Sequence, residues 1–495
     1  MSDVCLFLEG TYPYVAGGVS TWVYELVKRL EDVTFSIVYL GPHRASSRKM
    51  MYEIPPNVVD FREIYLFDYQ VWRENLGRPK KKGFEAVETF FKEMRREKTG
   101  IFEPLFEAIG DRNTRSLDLY DIVHSEEGWK ILERVYDGEE KEPSFIDYFW
   151  TWRFLYLPLF SLLRVPLPEA RVYHCASTGY AGVLGAIAKL KFNRPYLLTE
   201  HGIYTRERRI EISRADWIYS ETSKEEKVLQ GKEFFKDWWN SLFSFCSRLS
   251  YDKADEILTL YEGNRRIQVD EGAPREKTRI IPNGVDLGDY EMTPSRAAPE
   301  VFRIGFVGRV VPIKDVKTFL KACQIVRSEI RRVEVFIIGP VDEDKDYYEE
   351  CHLLVRSENM ADWVRFTGKS RVQDYYPMLD VLVLTSISEA QPIVILEAGA
   401  CGIPVVASDV GACSEMLLGG DANDRLLGPS GIVTPISEPQ ATANAILRLL
   451  TNRPLARRMG ENGRRRVEAF YQLDDVVARY RELYARYGED MRWRA

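Results

Sequence analysis

The chain has 495 residues, 45% of them hydrophobic and 29% charged, with a formal net charge of −7. That length exceeds what a single hydrophobic core usually serves, so two domains are expected. With an acidic balance, nothing in the overall charge points to nucleic acid or an anionic membrane, and no apolar run approaches the ~20 residues that cross a bilayer.

Taken in chain order, the first element is an apolar strand, Val4–Leu8. It starts almost at once in MSDVCLFLEG, with no basic stretch ahead of it, so no secretory leader is expected. The stretch EGTYPYVAGGVSTW (9–22) then places Gly17-Gly18 directly before a helix. Backbone N–H groups at such a turn can approach an oxyanion closely, although close packing is an equal reason for two glycines. Phe35–Leu40 is the next strand. Residues from about 65 to 165, including WRENLGRPKKKGFEAVETFFKEMRREKTG, are rich in aromatics and charge and have a helical pattern. They interrupt the first sheet and are expected to form an insertion. Arg171–Cys175, Tyr196–Thr199 and Glu256–Leu260 continue that sheet. In LLTEHGIYTRE (197–207) His201 ends a strand beside Glu200. A histidine there can donate to a hydroxyl or polarise a reacting centre, the alternative being a spectator.

The Pro/Ala/Ser-rich stretch EMTPSRAAPE (291–300) is the expected linker. Beyond it come Phe302–Val307, Glu334–Ile338, Val364–Thr367, Val381–Leu384, Pro404–Ala407 and Ile432–Thr434. Continuous apolar strands separated by helices indicate parallel sheets covered on both faces. The expected fold is therefore α/β, with two doubly wound Rossmann-like domains facing across a cleft. Residues 1–290 form the first domain and 291–470 the second. Ligand is expected in the cleft, at the carboxyl ends of the strands. From Tyr471 onward, Val476, Val477, Tyr480, Leu483, Tyr484 and Tyr487 share one helical face, so the tail 471–495 is expected to pack back on the first domain. The seven cysteines (Cys5, Cys175, Cys246, Cys323, Cys351, Cys401, Cys413) are scattered and form no CxxC. A reducing, cytoplasmic compartment is the expectation.

Two stretches of the second domain carry chemistry. In GFVGRVVPIKD (305–315) a strand ends at Gly308 and is followed by Arg309 and Lys314. A planar cationic fork and a point charge beside a glycine turn suit a diphosphate, though a basic loop is often only solvated. In SISEAQPIVILEAGACGIPVVASDVG (386–411) Glu389 lies just before a helix whose first position is Pro392, and Glu397 about one and a half turns further in. Free N–H groups of that first turn favour a phosphate beside them. A ligand with an anionic middle and hydroxyls at both ends would satisfy both glutamates; two solvated helix-end charges are the alternative. Asp342-x-Asp344-x-Asp346 is expected to be a solvated acidic turn, and the five histidines show no ligand spacing, so no metal site is expected.

Together, Glu389-x7-Glu397, Gly308-Arg309-x4-Lys314, IPNGVD (281–286) and the early glycine pair resemble the family-4 retaining glycosyltransferases of GT-B fold. LEGTYPYVAGGVSTWV, LTEHGIYTRERRIEI and SEAQPIVILEAGACGIPVVASDVGACSE are similar more closely to the glycosyltransferases of Pel exopolysaccharide synthesis. The resemblance covers essentially the whole chain. It implies a UDP-sugar donor, with UDP released, and a glycan acceptor. Arg309 and Lys314 would neutralise the diphosphate, Glu397 would hold the ribose, and Glu389 and His201 would stand by the transferred sugar. The backbone of Ala390, Gln391, Pro392 and Ile393, the Gly17-Gly18 turn and Asn283 would complete the donor site. Metal and cofactor would be absent, and inner-membrane polysaccharide synthesis and export proteins would be partners. A glycosidase using Glu389 and Glu397 leaves Arg309 and Lys314 without a task; a non-catalytic nucleotide-sugar sensor regulating a membrane synthase is the other rival.

Overall fold

The computed structural model describes residues 1–44, 49–71, 73, 79–139, 144–214, 225–292 and 300–488. The chain divides into two compact units. Unit 1 comprises Met1–Thr259, Arg265–Arg279 and Arg481 onward; unit 2 comprises Leu260–Asn264 and Ile280–Tyr480. Most of the expected linker, 293–299, lies outside the described residues.

Among the described residues the first sheet holds seven strands, all in unit 1 but for the last residue of β7: β1 (Ser2–Glu9), β2 (Phe35–Gly41), β3 (Val58–Tyr65), β4 (Ala170–Cys175), β5 (Tyr196–Glu200), β6 (Glu256–Thr259) and β7 (Thr278–Ile280). Their order is β3-β2-β1-β4-β5-β6-β7, and β1 to β6 pair in parallel. The expected strands all form. Two more appear that periodicity did not reveal. β3, VVDFREIY, mixes charge with apolar residues because it is the sheet's edge and part of it stays exposed, and β7 is only three residues long.

The stretch between β3 and β4 contains the helices Lys81–Glu93, Phe102–Ile109, Leu119–His124, Glu126–Tyr136 and Phe145–Leu162. They do not build a core of their own. Phe84, Phe90, Phe91, Trp152, Tyr156 and Phe160 share one hydrophobic cluster with Phe7 and Tyr173 of the sheet and with Trp238 and Phe245 of helix Glu225–Lys253. Phe90 meets Phe245 edge-on at 5.3 Å, and Trp238 Nε1 donates to Tyr156 Oη at 3.0 Å.

Unit 2 holds β8 (Phe302–Val307), β9 (Val333–Ile338), β10 (Val364–Gly368), β11 (Val381–Leu384), β12 (Val405–Ser408) and β13 (Gly431–Thr434). The order is β10-β9-β8-β11-β12-β13, all parallel. β11 and β12 are buried along their whole length and β8 and β9 from Ile304 and Val335 onward, as expected where helices cover both faces of a parallel sheet, whereas Arg303, Glu334 and Arg365 stand near the amino ends of β8, β9 and β10. The last helix, Leu473–Tyr487, buries Val476, Val477, Tyr480, Leu483 and Tyr484. From Arg481 it groups with unit 1, where Tyr484 Oη lies 2.7 Å from His174 Nδ1. Among the described residues no helix is long and apolar enough to cross a membrane.

Candidate active site

The second sheet changes direction between β8 and β11: β9 and β10 lie to one side, β12 and β13 to the other. The loops leaving the two central strands start there, at the carboxyl ends where open α/β sheets bind ligands. The β8 loop carries Arg309 and Lys314; the β11 loop carries Glu389. Backbone and hydroxyl groups stitch these loops together. Ile387 N donates to Ile313 O at 2.8 Å, and Thr385 Oγ1 to Asp315 O at 2.9 Å. Asp315, at φ 45°, turns the chain into helix Val316–Glu329 and caps it by accepting from Thr318 N.

Lys314 Nζ stands 2.5 Å from Glu389 Oε1, with the two side chains only 18% and 11% exposed. Ser386 Oγ donates to the same carboxylate oxygen at 2.5 Å, and the Ser386 carbonyl accepts from Ser408 Oγ at 2.6 Å. One charged and one neutral donor on a single oxygen hold Glu389 in place. Behind it, Gly411 has φ +54°, and a Cβ there would stand 2.2 Å from the Glu389 carbonyl oxygen. Both conformation and space demand glycine.

Helix Ile393–Ala400 begins one residue later than expected, with Pro392 as its N-cap. The N–H groups of Ile393 and Val394 have no acceptor within the helix and bring the positive end of its dipole to the carboxyl end of β11. Glu397 lies one turn in. Tyr290 Oη donates to its Oε1 at 2.9 Å and Tyr376 Oη to its Oε2 at 2.6 Å. Burial raises its pKa, and the two tyrosine hydrogen bonds only partly offset that. Each oxygen retains a second lone pair.

Asn283 and Gln391 are engaged with each other. Asn283 N donates to Gln391 Oε1 at 2.6 Å and Asn283 Nδ2 to Gln391 O at 3.4 Å, while Gln391 Nε2 reaches Leu260 O at 3.3 Å. Both side chains are buried, so they position the loop instead of projecting from it. Ala390 O accepts from Ala412 N at 2.8 Å. Arg309 is ion-paired with Glu343 of the β9 loop, each about half exposed. In the same acidic turn Asp344 caps helix Lys345–Ser357 by accepting from Tyr347 N.

In unit 1 the reversal falls between β1 and β4. Gly17 is the N-cap of helix Gly18–Arg29, and a Cβ added at Gly17 or Gly18 would meet nothing within 4 Å. One turn along that helix, Trp22 packs edge-on against His201 at 4.7 Å. Burial lowers the His201 pKa to about 4, so its ring is neutral at pH 7. Glu200 plays a different part from the one its proximity suggested. It is fully buried and accepts from Tyr251 Oη (2.7 Å), Gln268 Nε2 (2.9 Å), Tyr204 N (3.0 Å) and Thr178 Oγ1 (3.3 Å). Desolvation outweighs those donors and pushes its pKa up to about 7. It ties four segments together beneath His201.

Sequence reasoning missed Trp22, Ser386, Glu343, Tyr290 and Tyr376. Ser386 and Trp22 are within one turn of quoted motif residues and could have been found locally. Tyr290 lies 107 residues from Glu397 and has no local signal.

Residues 2–276 match the family model described as "Domain of unknown function (DUF3492)", and residues 291–466 the one described as "Glycosyl transferases group 1". A D-inositol 3-phosphate glycosyltransferase of Kineococcus radiotolerans is 30% identical over 237 residues, 44% of this chain and 54% of that protein. The chain thus spans about half the length of the first curated relatives it matches. Among solved structures, HepE of Anabaena in complex with UDP and glucose aligns with 98% of this chain and 99% of its own at TM-score 0.57 and 15% identity. Sucrose-phosphate synthase of Thermosynechococcus elongatus aligns with 97% of this chain and 98% of its own at TM-score 0.57 and 19% identity. At those identities the likeness is one of fold: two Rossmann-like α/β domains of the GT-B kind.

Proposed function

We propose that this chain, which belongs to the DUF3492 family, transfers a sugar from a UDP-sugar to a glycan acceptor with retention of configuration and without a metal ion. The observation that supports this reading is the meeting of the β8 and β11 loops at the sheet reversal: Lys314 is paired with Glu389, Arg309 lies on the same β8 loop, and helix Ile393–Ala400, with Glu397 one turn in, follows the β11 loop. Lys314, Arg309 and the N–H groups of Ile393 and Val394 are the donors a diphosphate needs, and together they stabilise the charge that develops as UDP departs. Glu397, fixed by Tyr290 and Tyr376, offers its remaining lone pairs to the ribose hydroxyls. Glu389, held by Lys314 and Ser386, stands beside the transferred sugar. Asn283 and Gln391 shape the loop, and Ala390 and Pro392 contribute backbone. In unit 1, Gly17 and Gly18 leave room for close approach, and neutral His201 donates to a sugar hydroxyl without adding charge. Two cations doing the work of a divalent ion support metal independence.

The group 1 match over unit 2 and the UDP and glucose named for the Anabaena neighbour support the donor class. The motif resemblance favours a growing Pel-like exopolysaccharide as acceptor, a cytoplasmic site of action, and inner-membrane synthesis and export proteins as partners. The deciding experiment is UDP release across a panel of UDP-sugars, with and without glycan acceptor. Acceptor-dependent release with one donor is expected. Absence of release with every UDP-sugar, together with absence of UDP binding, overturns the assignment.

A further inference from the structure

The two cations of the crevice are each countered by a carboxylate of the protein itself, but in unlike surroundings. Lys314 is paired with Glu389 in a largely buried setting, and Ser386 adds a further donor. Arg309 is paired with Glu343 where both side chains are about half exposed. Glu343 is not there by chance of a mobile side chain on a distant loop. Gly308 N donates to Ile338 O and Val310 N to Pro340 O, both at 2.9 Å, so the β8 and β9 loops run side by side. A Cβ at Gly339 would stand 2.1 Å from Gly308 O, which shows how closely the backbones approach. One residue beyond Glu343, Asp344 caps the following helix and fixes the turn. Of the acidic residues 342, 343, 344 and 346, Glu343 is the one placed on the Arg309 guanidinium.

We propose that Glu343 is a displaceable counter-ion of the diphosphate site: it holds the Arg309 guanidinium until a nucleoside diphosphate takes its place, and reclaims it as the diphosphate leaves. This rests on the reading of Arg309 as a diphosphate ligand. An exposed ion pair is weak enough to exchange, whereas the enclosed Lys314–Glu389 pair is not built to do so. Glu343 therefore competes with bound UDP, lowering its affinity and easing its release, and acts through Arg309 without touching the reacting atoms.

The test is titration calorimetry of the full chain with UDP at low and at moderate salt. Glu343→Gln removes the competing charge and keeps the side-chain size. It is expected to tighten UDP binding two- to fivefold at low salt, and less at moderate salt as screening shortens the field. Asp342→Asn changes the net charge equally one residue away and is expected to leave affinity within experimental error. In an Arg309→Ala background, Glu343→Gln is expected to have no effect. Unchanged or weaker binding by Glu343→Gln, equal tightening by Asp342→Asn, or tightening that persists without Arg309 each overturns the proposal. Tight UDP binding by the wild type that is indifferent to Glu343 leaves the donor site standing and removes only this inference. A wild type that binds no UDP removes both.

Discussion

The carboxyl ends of the two sheets have the same topology and opposite electrostatics. At the β8/β11 reversal the polar groups are charged side chains, arranged in one largely buried pair, Lys314–Glu389, and one half-exposed pair, Arg309–Glu343. At the β1/β4 end of unit 1 and the adjoining end of β5, where Glu9 of β1 accepts from Tyr204 Oη at 2.7 Å, three further titratable groups are held towards neutrality by burial. His174 is lowered to about 3, His201 to about 4, and Glu200 is raised to about 7. A doubly wound sheet creates a crevice in both cases, and the side chains decide what it suits. The charged end suits an anion such as a diphosphate. The less charged end, with its imidazoles, hydroxyls and the indole of Trp22, suits a polyol.

The largest test of that contrast is on the charged side. Lys314→Ala is expected to weaken UDP binding ten- to a hundredfold, since it removes a charge-assisted contact of about 1.5–3 kcal/mol and leaves Glu389 enclosed with only Ser386 as donor. Calorimetry with UDP checks it, and unchanged affinity would make the crevice charges structural only.

On the neutral side, Glu200→Gln is expected to destabilise unit 1 by about 1–3 kcal/mol, because an amide nitrogen or oxygen cannot accept from all four donors. The deficit should depend on pH in a definite direction. A carboxyl whose folded pKa is raised binds its proton more tightly when folded, so the stability it lends is full below about 4.5 and declines as pH rises to about 7. Urea unfolding should therefore show the variant furthest below the wild type at pH 5 and closer to it at pH 8. A gap that widens with pH would contradict the buried-neutral reading.

A smaller effect separates space kept for a ligand from space kept for the fold. Since a Cβ at Gly18 meets no protein atom, Gly18→Ala should leave the unfolding midpoint within about 0.5 kcal/mol of the wild type. It should still reduce kcat/KM for the donor several-fold. Equal kcat/KM would assign the glycine pair to chain geometry alone. The smallest effect expected is none: UDP release should persist in EDTA, and loss on chelation with recovery on Mn²⁺ or Mg²⁺ would return attention to the Asp342–Asp346 turn.

Much of the architecture was legible from local pattern. A buried parallel strand needs a run of apolar residues whatever surrounds it, so eleven strands could be placed by inspection. β3 could not, because none of its residues is fully buried at the edge and its charges break the run. The residues of the charged crevice were legible too, since loops at strand ends carry their cations and carboxylates within a few positions. What could not be read is which charge meets which. Lys314 and Glu389 are 75 residues apart, Arg309 and Glu343 are 34, and Glu397 and Tyr290 are 107. The strand order that brings β8 beside β11 creates the first pairing. The close backbone approach at Gly308 and Gly339 creates the second. Burial, which a sequence carries only as an average, made Glu200 a knot under His201 in place of its partner. Sequence by itself determined the element types and the chemical inventory, because both follow from short-range periodicity and residue type. Tertiary structure alone decided the pairings and the protonation states, because both depend on distance and solvent access between segments far apart in the chain.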